Sequence, residues 1–214
     1  VANPYARFRK EFTIDDFAGS PIVSDPLRLL DICATSDGAA AVIICTPEYA
    51  MKKLGTLEGT VRIRAVANTT PTYPQIRLEL PDIATDSNAV VQAPALGFKD
   101  SIAHNAYEQA GLGPEDVSCA EVYDLSTALE LDWYENLGFC AEGEGARLVR
   151  DGVTALGGSK PVNASGGLAS FGEAIPAQAI AQVCELTWQL QGRSDGHQVE
   201  NAKVGLAINQ GLFG

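Results

Sequence analysis

The chain has 214 residues, of which 46% are hydrophobic and 20% are charged, and its net charge is −12. A chain of this length and composition buries roughly 70% of its unfolded surface, so one large or two small globular domains are expected. The acidity excludes nucleic acid as an expected partner, because phosphate contacts need a basic surface and the longest Lys/Arg cluster is the short segment 6–10.

Cysteine and histidine usage argues against a disulfide framework and a metal site. The five cysteines form no Cys-x-x-Cys pair, and His104 and His197 are far apart in the sequence. We therefore assign no metal ligands. The longest apolar run, residues 39–45, is too short to span a bilayer. No signal peptide before Val1 is expected. A cytoplasmic protein without a membrane span is expected.

The sequence of the first part of the chain predicts few helices and strands. Residues 1–27 are interpreted as a loop with one short helix. The apolar run 39–45 follows an Asp-Gly turn and predicts a strand buried on both faces. Thr46 and Pro47 then fit the N-cap and first position of a helix. Residues 60–68 alternate like a strand, and 69–96 form a long loop with four prolines.

The second part alternates between helix and strand patterns. Gly111 is expected to end a helix that starts near residue 99, with a turn at Gly113-Pro114. The remaining predicted elements are a strand (118–123), a helix (126–139), a glycine-rich turn region (142–152), a strand end with a turn (161–167), a helix (174–191) and a strand (203–211). This order argues for a layered α/β domain.

Three segments carry a resemblance to a known family. They read SDGAAAVIICTPEYA (36–50), AYEQAGLGPEDVSCAEVYD (106–124) and NASGGLASFGEA (163–174). Together they resemble the C-terminal half of thiolases, in particular the sterol-carrier-protein-x type, often called lipid-transfer proteins. Residues 3–13 resemble the loop with which that branch shapes its acyl-CoA pocket.

The resemblance implies the α/β thiolase-like layered α/β/α/β/α fold. Residues 1–54 would hold the loop region and the last strand and helix of the N-terminal thiolase half. Residues 55–214 would hold the C-terminal half without its final strand. The half of the family that carries the nucleophilic cysteine would lie outside this chain.

The chain departs from the family at three catalytic positions. Glu173 stands where the family has its activating histidine, and Tyr123 stands where it has the oxyanion-hole histidine. Near the C-terminus, the family's Cys or His followed by glycines is replaced by a segment that includes Asn209. Each departure removes a group that Claisen cleavage of a 3-ketoacyl-CoA needs.

These departures favour an aldolase offshoot of the branch, which resembles thiolases in fold and cleaves steroid side-chain acyl-CoA thioesters by retro-aldol chemistry. The candidate catalytic residues are Tyr123, Asp124 and Glu173. The candidate substrate-binding residues are Asn163, Ser165, Gly166, Gly167, Gly172, Asn209 and Gly211. Coenzyme A would enter as part of the substrate, with no separate cofactor.

Other interpretations stay open. The function alternatives are a thiolytic acyl-CoA acetyltransferase, with its nucleophile in the other half, and a non-catalytic lipid or acyl-CoA carrier. At the residue level, Tyr123 can anchor a loop, Asp124 can cap the helix over 126–139, and Glu173 can be a first-turn helix carboxylate.

The resemblance also bears on geometry and partners. In thiolases the loops that correspond to Tyr123 and Glu173 meet over the thioester, so these side chains should share one pocket. Thiolases are at least dimers, and the aldolase offshoot works with a small OB-fold/zinc-ribbon protein of the DUF35 type. A homodimer and a DUF35-type partner are therefore expected.

Overall fold

The computed structural model describes residues 2–70 and 97–211. Its helices are α1 (Ile14–Gly19), α2 (Pro47–Leu54), α3 (Phe98–Ala110), α4 (Thr127–Asn136), α5 (Gly145–Arg150), α6 (Gly167–Ser170) and α7 (Ala177–Leu190). Its strands are β1 (Ile22–Ser24), β2 (Leu27–Arg28), β3 (Cys119–Glu121) and β4 (Gly205–Ala207). The α/β prediction is confirmed in this part of the chain.

A parallel pair of strands forms the centre of the second half. Cys119 pairs with Gly205 and Glu121 pairs with Ala207, while Val162 forms a parallel bridge to Ala120 on the other side of β3. Helix α7 packs across both strands. All three residues of β3 are buried, as expected for a parallel strand that is covered on both faces.

The main hydrophobic core lies between this sheet and the helices that follow β3. Trp133 and Tyr134 of α4, which are 1% and 2% exposed, pack with Val122 and Leu168. The residues that follow β3 and the first residues of α6 therefore pack in the same core. This arrangement places their loops side by side.

Local signals explain where the predicted helices begin and end. The Thr46 hydroxyl accepts a hydrogen bond from the Tyr49 N–H at 3.2 Å, so Thr46 caps α2 as predicted. The Ser126 hydroxyl caps α4 in the same way. Gly111 ends α3 with φ +65°, a left-handed conformation that glycine adopts at little cost.

Two predicted strands are absent from the structure. Residues 39–45 and 60–68 are not in β-ladders, and Ile43 is 98% exposed. An apolar or alternating pattern makes a segment suitable for a sheet, but a strand forms only where neighbouring backbone supplies hydrogen bonds. No such neighbour lies beside these two segments among residues 2–70 and 97–211.

Three further expectations are corrected or left open. The region 142–152, predicted as turn, contains α5, because Gly145 allows close packing: a Cβ there would come 2.8 Å from the Leu131 carbonyl oxygen. The helix predicted over 174–191 begins only at Ala177, after Pro176. The long loop predicted over 69–96 lies almost entirely outside the described residues.

Candidate active site

A hydrogen bond joins the two predicted catalytic loops. The Tyr123 hydroxyl donates to the Glu173 Oε1 at 2.9 Å, and the two residues are 8% and 9% exposed. This contact brings together the loop after β3 and the loop before α7. That the two side chains share one substrate pocket stays a prediction, since neither lines the cavity beside the glycine turn. Because α7 begins at Ala177, Glu173 does not belong to its first turn.

Cys33 completes this contact from a third segment. Its thiol donates to the Glu173 Oε2 at 2.8 Å, so each carboxylate oxygen of Glu173 accepts one hydrogen bond. The Glu173 N–H donates to the Ala34 carbonyl at 2.8 Å, and the Ser36 N–H donates to the Glu173 carbonyl at 3.0 Å. Glu173 is therefore held by both its backbone and its side chain.

The shared burial keeps both hydrogen-bond donors protonated. Burial raises the pKa of the Cys33 thiol to about 12, and the hydrogen bond to Glu173 and its negative charge add to the rise. Burial, followed by the same two influences of Glu173, also raises the pKa of Tyr123. At neutral pH the cluster is a thiol and a phenol around one acceptor.

Asp124 faces the start of α6. Its Oδ1 accepts the Leu168 N–H at 2.7 Å and its Oδ2 accepts the Ala169 N–H at 3.1 Å. Asp124 therefore does not cap α4, which begins behind Ser126. Burial, together with the negative charge of Glu130, raises the pKa of Asp124 to about 7, against the effect of the backbone hydrogen bonds.

The NASGG turn is fastened to β3 by two side chains. Asn163, in a left-handed conformation at φ +52°, accepts the Val122 N–H on its Oδ1 at 2.8 Å. The Ser165 N–H and hydroxyl both donate to Glu121, at 3.1 and 2.6 Å. Burial raises the pKa of Glu121 to about 8, although the Ser165 hydrogen bonds act in the opposite direction.

Close contacts explain two of the predicted glycines. A Cβ on Gly167 (φ +58°) would lie 2.3 Å from the Asp124 Oδ2, and a Cβ on Gly172 (φ +121°) would lie 2.5 Å from the Ser36 Oγ. Gly166, between the turn and α6, has φ +106°. The glycines thus let the turn approach β3 and segment 33–36 rather than leave an open loop.

A cavity of about 270 Å³ adjoins the turn, and three predicted binding residues line it: Ser165, Gly167 and Gly172. Ala39–Ala41 and residues of α7, including Gln178 and Gln182, form other parts of its wall. Asn209 instead donates to the Gln182 Oε1 at 3.2 Å, and Gly211 is exposed at the end of the described residues. The substrate-binding assignments stay predictions.

The N-terminal loop packs on the same turn. Asn3 donates from its side chain to the Ser165 carbonyl at 2.8 Å, and the Phe8 N–H donates to the Ser170 carbonyl at 3.0 Å. The Arg7 N–H donates to the Phe171 carbonyl at 3.2 Å. The loop therefore contacts the turn, and its role in shaping an acyl-CoA pocket stays a prediction.

Sequence reasoning missed Cys33 and Glu121. Glu121 had a signal, since a charged residue in the middle of a buried strand needs polar partners. Cys33 had none, because its partner Glu173 is 140 positions away and no short motif links them. Within the described residues, no group of three or more His, Cys, Asp or Glu side chains is arranged to hold a metal ion.

The parallel strands, the glycine turn and the two facing loops define an α/β thiolase-type domain, and the comparisons agree. The family described as thiolase C-terminal domain-like matches residues 83–214. The chain belongs to this family. In residues 2–70 and 97–211, no helix is long and apolar enough to cross a membrane.

Curated relatives extend the match over the whole chain. Sterol carrier protein 2 of Oryctolagus cuniculus is 38% identical over 214 residues, which are 100% of this chain and 37% of that protein. An acetyl-CoA acetyltransferase of Methanothermobacter thermautotrophicus is 39% identical over 212 residues (99% and 51%). A benzoylsuccinyl-CoA thiolase subunit of Thauera aromatica is 37% identical over 199 residues (92% and 48%). The chain thus spans between about a third and a half of the length of these relatives.

A solved structure supports the fold. The Ltp2-ChsH2(DUF35) aldolase superposes with a TM-score of 0.66 at 23% identity, over 96% of this chain and 50% of that one. The predicted resemblance to the C-terminal half of a thiolase is confirmed. The division of the chain at residue 54 stays a prediction.

Proposed function

We propose that this chain belongs to an acyl-CoA carbon–carbon lyase that cleaves a bulky β-hydroxyacyl-CoA of the sterol side-chain type by retro-aldol chemistry. The observation that carries the proposal is the buried hydrogen bond from Tyr123 to Glu173, two positions that the resemblance to thiolases assigns to histidines. A phenol beside a carboxylate can transfer a proton, and retro-aldol cleavage needs no covalent intermediate with the enzyme.

The proposed reaction balances without a co-reactant. The Tyr123 oxygen accepts the proton of the β-hydroxyl while its own proton passes to Glu173. The Cα–Cβ bond breaks, the new carbonyl compound leaves, and the electron pair remains on the thioester enolate. The same relay then returns the proton to Cα, which yields the shortened acyl-CoA. The raised pKa of Tyr123 fits a relay, because a standing phenolate is disfavoured.

In the proposed site, Asp124 has a positioning role. Both of its oxygens accept N–H groups from α6, so the side chain fixes the loop that carries Tyr123 against the glycine turn. The cavity beside Ser165, Gly167 and Gly172 would receive the acyl-CoA near its thioester end. Coenzyme A would act there as part of the substrate, with no separate cofactor.

A second candidate is thiolytic acyl transfer. It is favoured by the relatives that are named acetyltransferase and thiolase. Two arguments weigh against it. The resemblance to thiolases places Tyr123 and Glu173 at the positions of the catalytic histidines, and a carboxylate disfavours a neighbouring thiolate. Cys33, whose pKa burial raises to about 12, is a poor nucleophile in this setting.

The proposed assembly carries forward the expectations from the sequence and its resemblance to thiolases. We propose a homodimer, a DUF35-type partner and a cytoplasmic location. The DUF35 proposal is supported by the aldolase to which the fold is similar, which is a complex with a DUF35 protein.

Product analysis separates the candidate functions. The intact protein, with and without a DUF35-type partner, is incubated with a β-hydroxyacyl-CoA, and separately with a 3-ketoacyl-CoA plus free coenzyme A. We expect a carbonyl product and a shortened acyl-CoA from the first mixture, at a rate independent of free coenzyme A. Robust thiolysis in the second mixture would contradict the proposal, and acyl-CoA binding without bond cleavage would favour a carrier.

Two substitutions test the proton relay. Tyr123→Phe and Glu173→Gln should each lower turnover by about 10²-fold or more, because each removes one end of the relay. Each should change the free energy of unfolding by less than roughly 1.5 kcal/mol, about the net value of a hydrogen bond. Tyr107→Phe is the matched control, since Tyr107 also donates from its hydroxyl, to the Leu137 carbonyl at 2.9 Å. Near-normal turnover in both site variants would show that the assigned residues are structural.

A further inference from the structure

We propose that Cys33 is a positioning residue that orients the Glu173 carboxylate toward Tyr123. Its thiol donates to the Glu173 Oε2 at 2.8 Å, which leaves the Oε1 for the Tyr123 hydroxyl at 2.9 Å. A carboxylate with one donor can rotate about its last side-chain torsion, whereas donors on both oxygens fix its plane. The catalytic consequence rests on the proposed function, but the contact itself does not.

Segment 32–36 is well placed for this task because it links both catalytic loops. Ile32 forms an antiparallel bridge with Ser126, and the Cys33 N–H donates to the Leu125 carbonyl at 2.9 Å. At the other end, Thr35 forms a parallel bridge with Glu173. Cys33 therefore sits where the loop after β3 and the loop before α7 are both fastened, and its side chain adds a third connection.

The surroundings favour a thiol donor over a thiolate. Glu173 touches the sulfur and Asp124 adds negative charge nearby, and no cation is among the groups that shift the pKa of Cys33. A thiolate would place a second negative charge against the carboxylate. The thiol instead supplies the hydrogen bond that a buried carboxylate needs.

Thiol reactivity tests the contact without any enzymatic assay. The intact protein is treated with iodoacetamide at one fixed, mildly alkaline pH, and alkylation of each cysteine is followed by peptide mass spectrometry. Exposed Cys45 is the internal fast reference and buried Cys119 is the slow one. We expect Cys33 to react at least tenfold more slowly than Cys45, because only the thiolate attacks.

Glu173→Gln should then accelerate alkylation of Cys33 by about tenfold or more, since loss of the adjacent charge lowers the thiol pKa and one pKa unit changes the thiolate fraction tenfold. The rate at Cys45 should not change. Wild-type Cys33 that reacts as fast as Cys45, or a Glu173→Gln variant without acceleration, would overturn the contact whatever reaction the protein catalyses.

Turnover tests the positioning role. Cys33→Ala removes the donor and should lower kcat about tenfold with little change in KM, whereas Cys33→Ser keeps a donor and should recover most of the loss. Cys140→Ala, at another half-buried free cysteine, should keep wild-type kcat. An unchanged kcat in Cys33→Ala, or a serine variant as impaired as the alanine variant, would refute positioning. If Cys33→Ala does not fold, the serine variant and the alkylation rates still decide the proposal.

Discussion

Three buried carboxylates hold the site together, and each uses a different kind of donor. Glu173 accepts a thiol and a phenol, Asp124 accepts two backbone N–H groups, and Glu121 accepts the N–H and hydroxyl of Ser165. In every case the donors lie on a different segment from the carboxylate. Each side chain is therefore a cross-link between loops.

Glu121 makes the stability of the fold depend on pH. Its pKa rises from 4.5 to about 8 on folding because of burial, so between these values the folded chain binds more protons than the unfolded chain. The free energy of unfolding must then fall as the pH rises through this window. Glu121→Gln should flatten this fall, since the amide has no charge to bury and can still accept the Ser165 N–H. Urea unfolding at several pH values measures the slope.

Two comparisons make that test specific. Asp124, whose pKa burial raises to about 7, should preserve part of the pH dependence in both proteins. Glu142→Gln, a change at an exposed carboxylate, should leave the slope at its wild-type value. A Glu121→Gln variant that loses stability as steeply as the wild type from about pH 5 to about pH 8 would show that Glu121 is not the group responsible.

At the scale of elements, the sequence predicts what local chemistry determines. The caps of α2 and α3 follow from Thr46 and Gly111, and the strand predicted over 118–123 contains β3. The prediction of strands over 39–45 and 60–68 is wrong for the described residues, because strand pairing depends on backbone that is distant in the sequence. The facing of Tyr123 and Glu173 was predictable only through the family resemblance, whereas the contact with Cys33 depends on three-dimensional packing of segment 32–36.

The junction between the glycine turn and α6 should tolerate no side chain. Gly167→Ala would combine a left-handed φ of +58° with a Cβ 2.3 Å from the Asp124 Oδ2. We expect it to lower the free energy of unfolding by about 2 kcal/mol or more beyond the cost of the conformation alone, since Asp124 must leave its N–H partners. Gly111→Ala is the control for that conformational cost, with φ +65° and nothing within 4 Å of the added Cβ; about 1–2 kcal/mol is expected there. Equal losses in the two variants, measured by urea unfolding, would contradict the steric argument.

At the scale of the whole molecule, the candidate catalytic cluster is well enclosed while one flank of the chain is open. Tyr123, Glu173 and Asp124 are all at least nine-tenths buried by this chain. Ile43 and Ile44, in contrast, are 98% and 70% exposed within segment 39–45, which has no ladder partner among the described residues. The cluster is therefore enclosed by this chain itself, whereas the flank at Ile43 and Ile44 exposes apolar side chains.

Exposed apolar side chains in a segment without ladder partners favour association between chains. We therefore expect the 214-residue chain, produced by itself, to bind an anilinonaphthalene sulfonate dye and to sediment as larger species when its concentration rises. The double substitution Ile43→Asp/Ile44→Asp should reduce both signals by introducing two charges where a second copy would pack. Ile14→Asp is the control, because Ile14 is 87% exposed but lies on the short helix α1 rather than in segment 39–45. A wild-type chain that stays monomeric without dye binding would contradict this prediction, and an equal effect of Ile14→Asp would show that added charge alone, rather than segment 39–45, controls association.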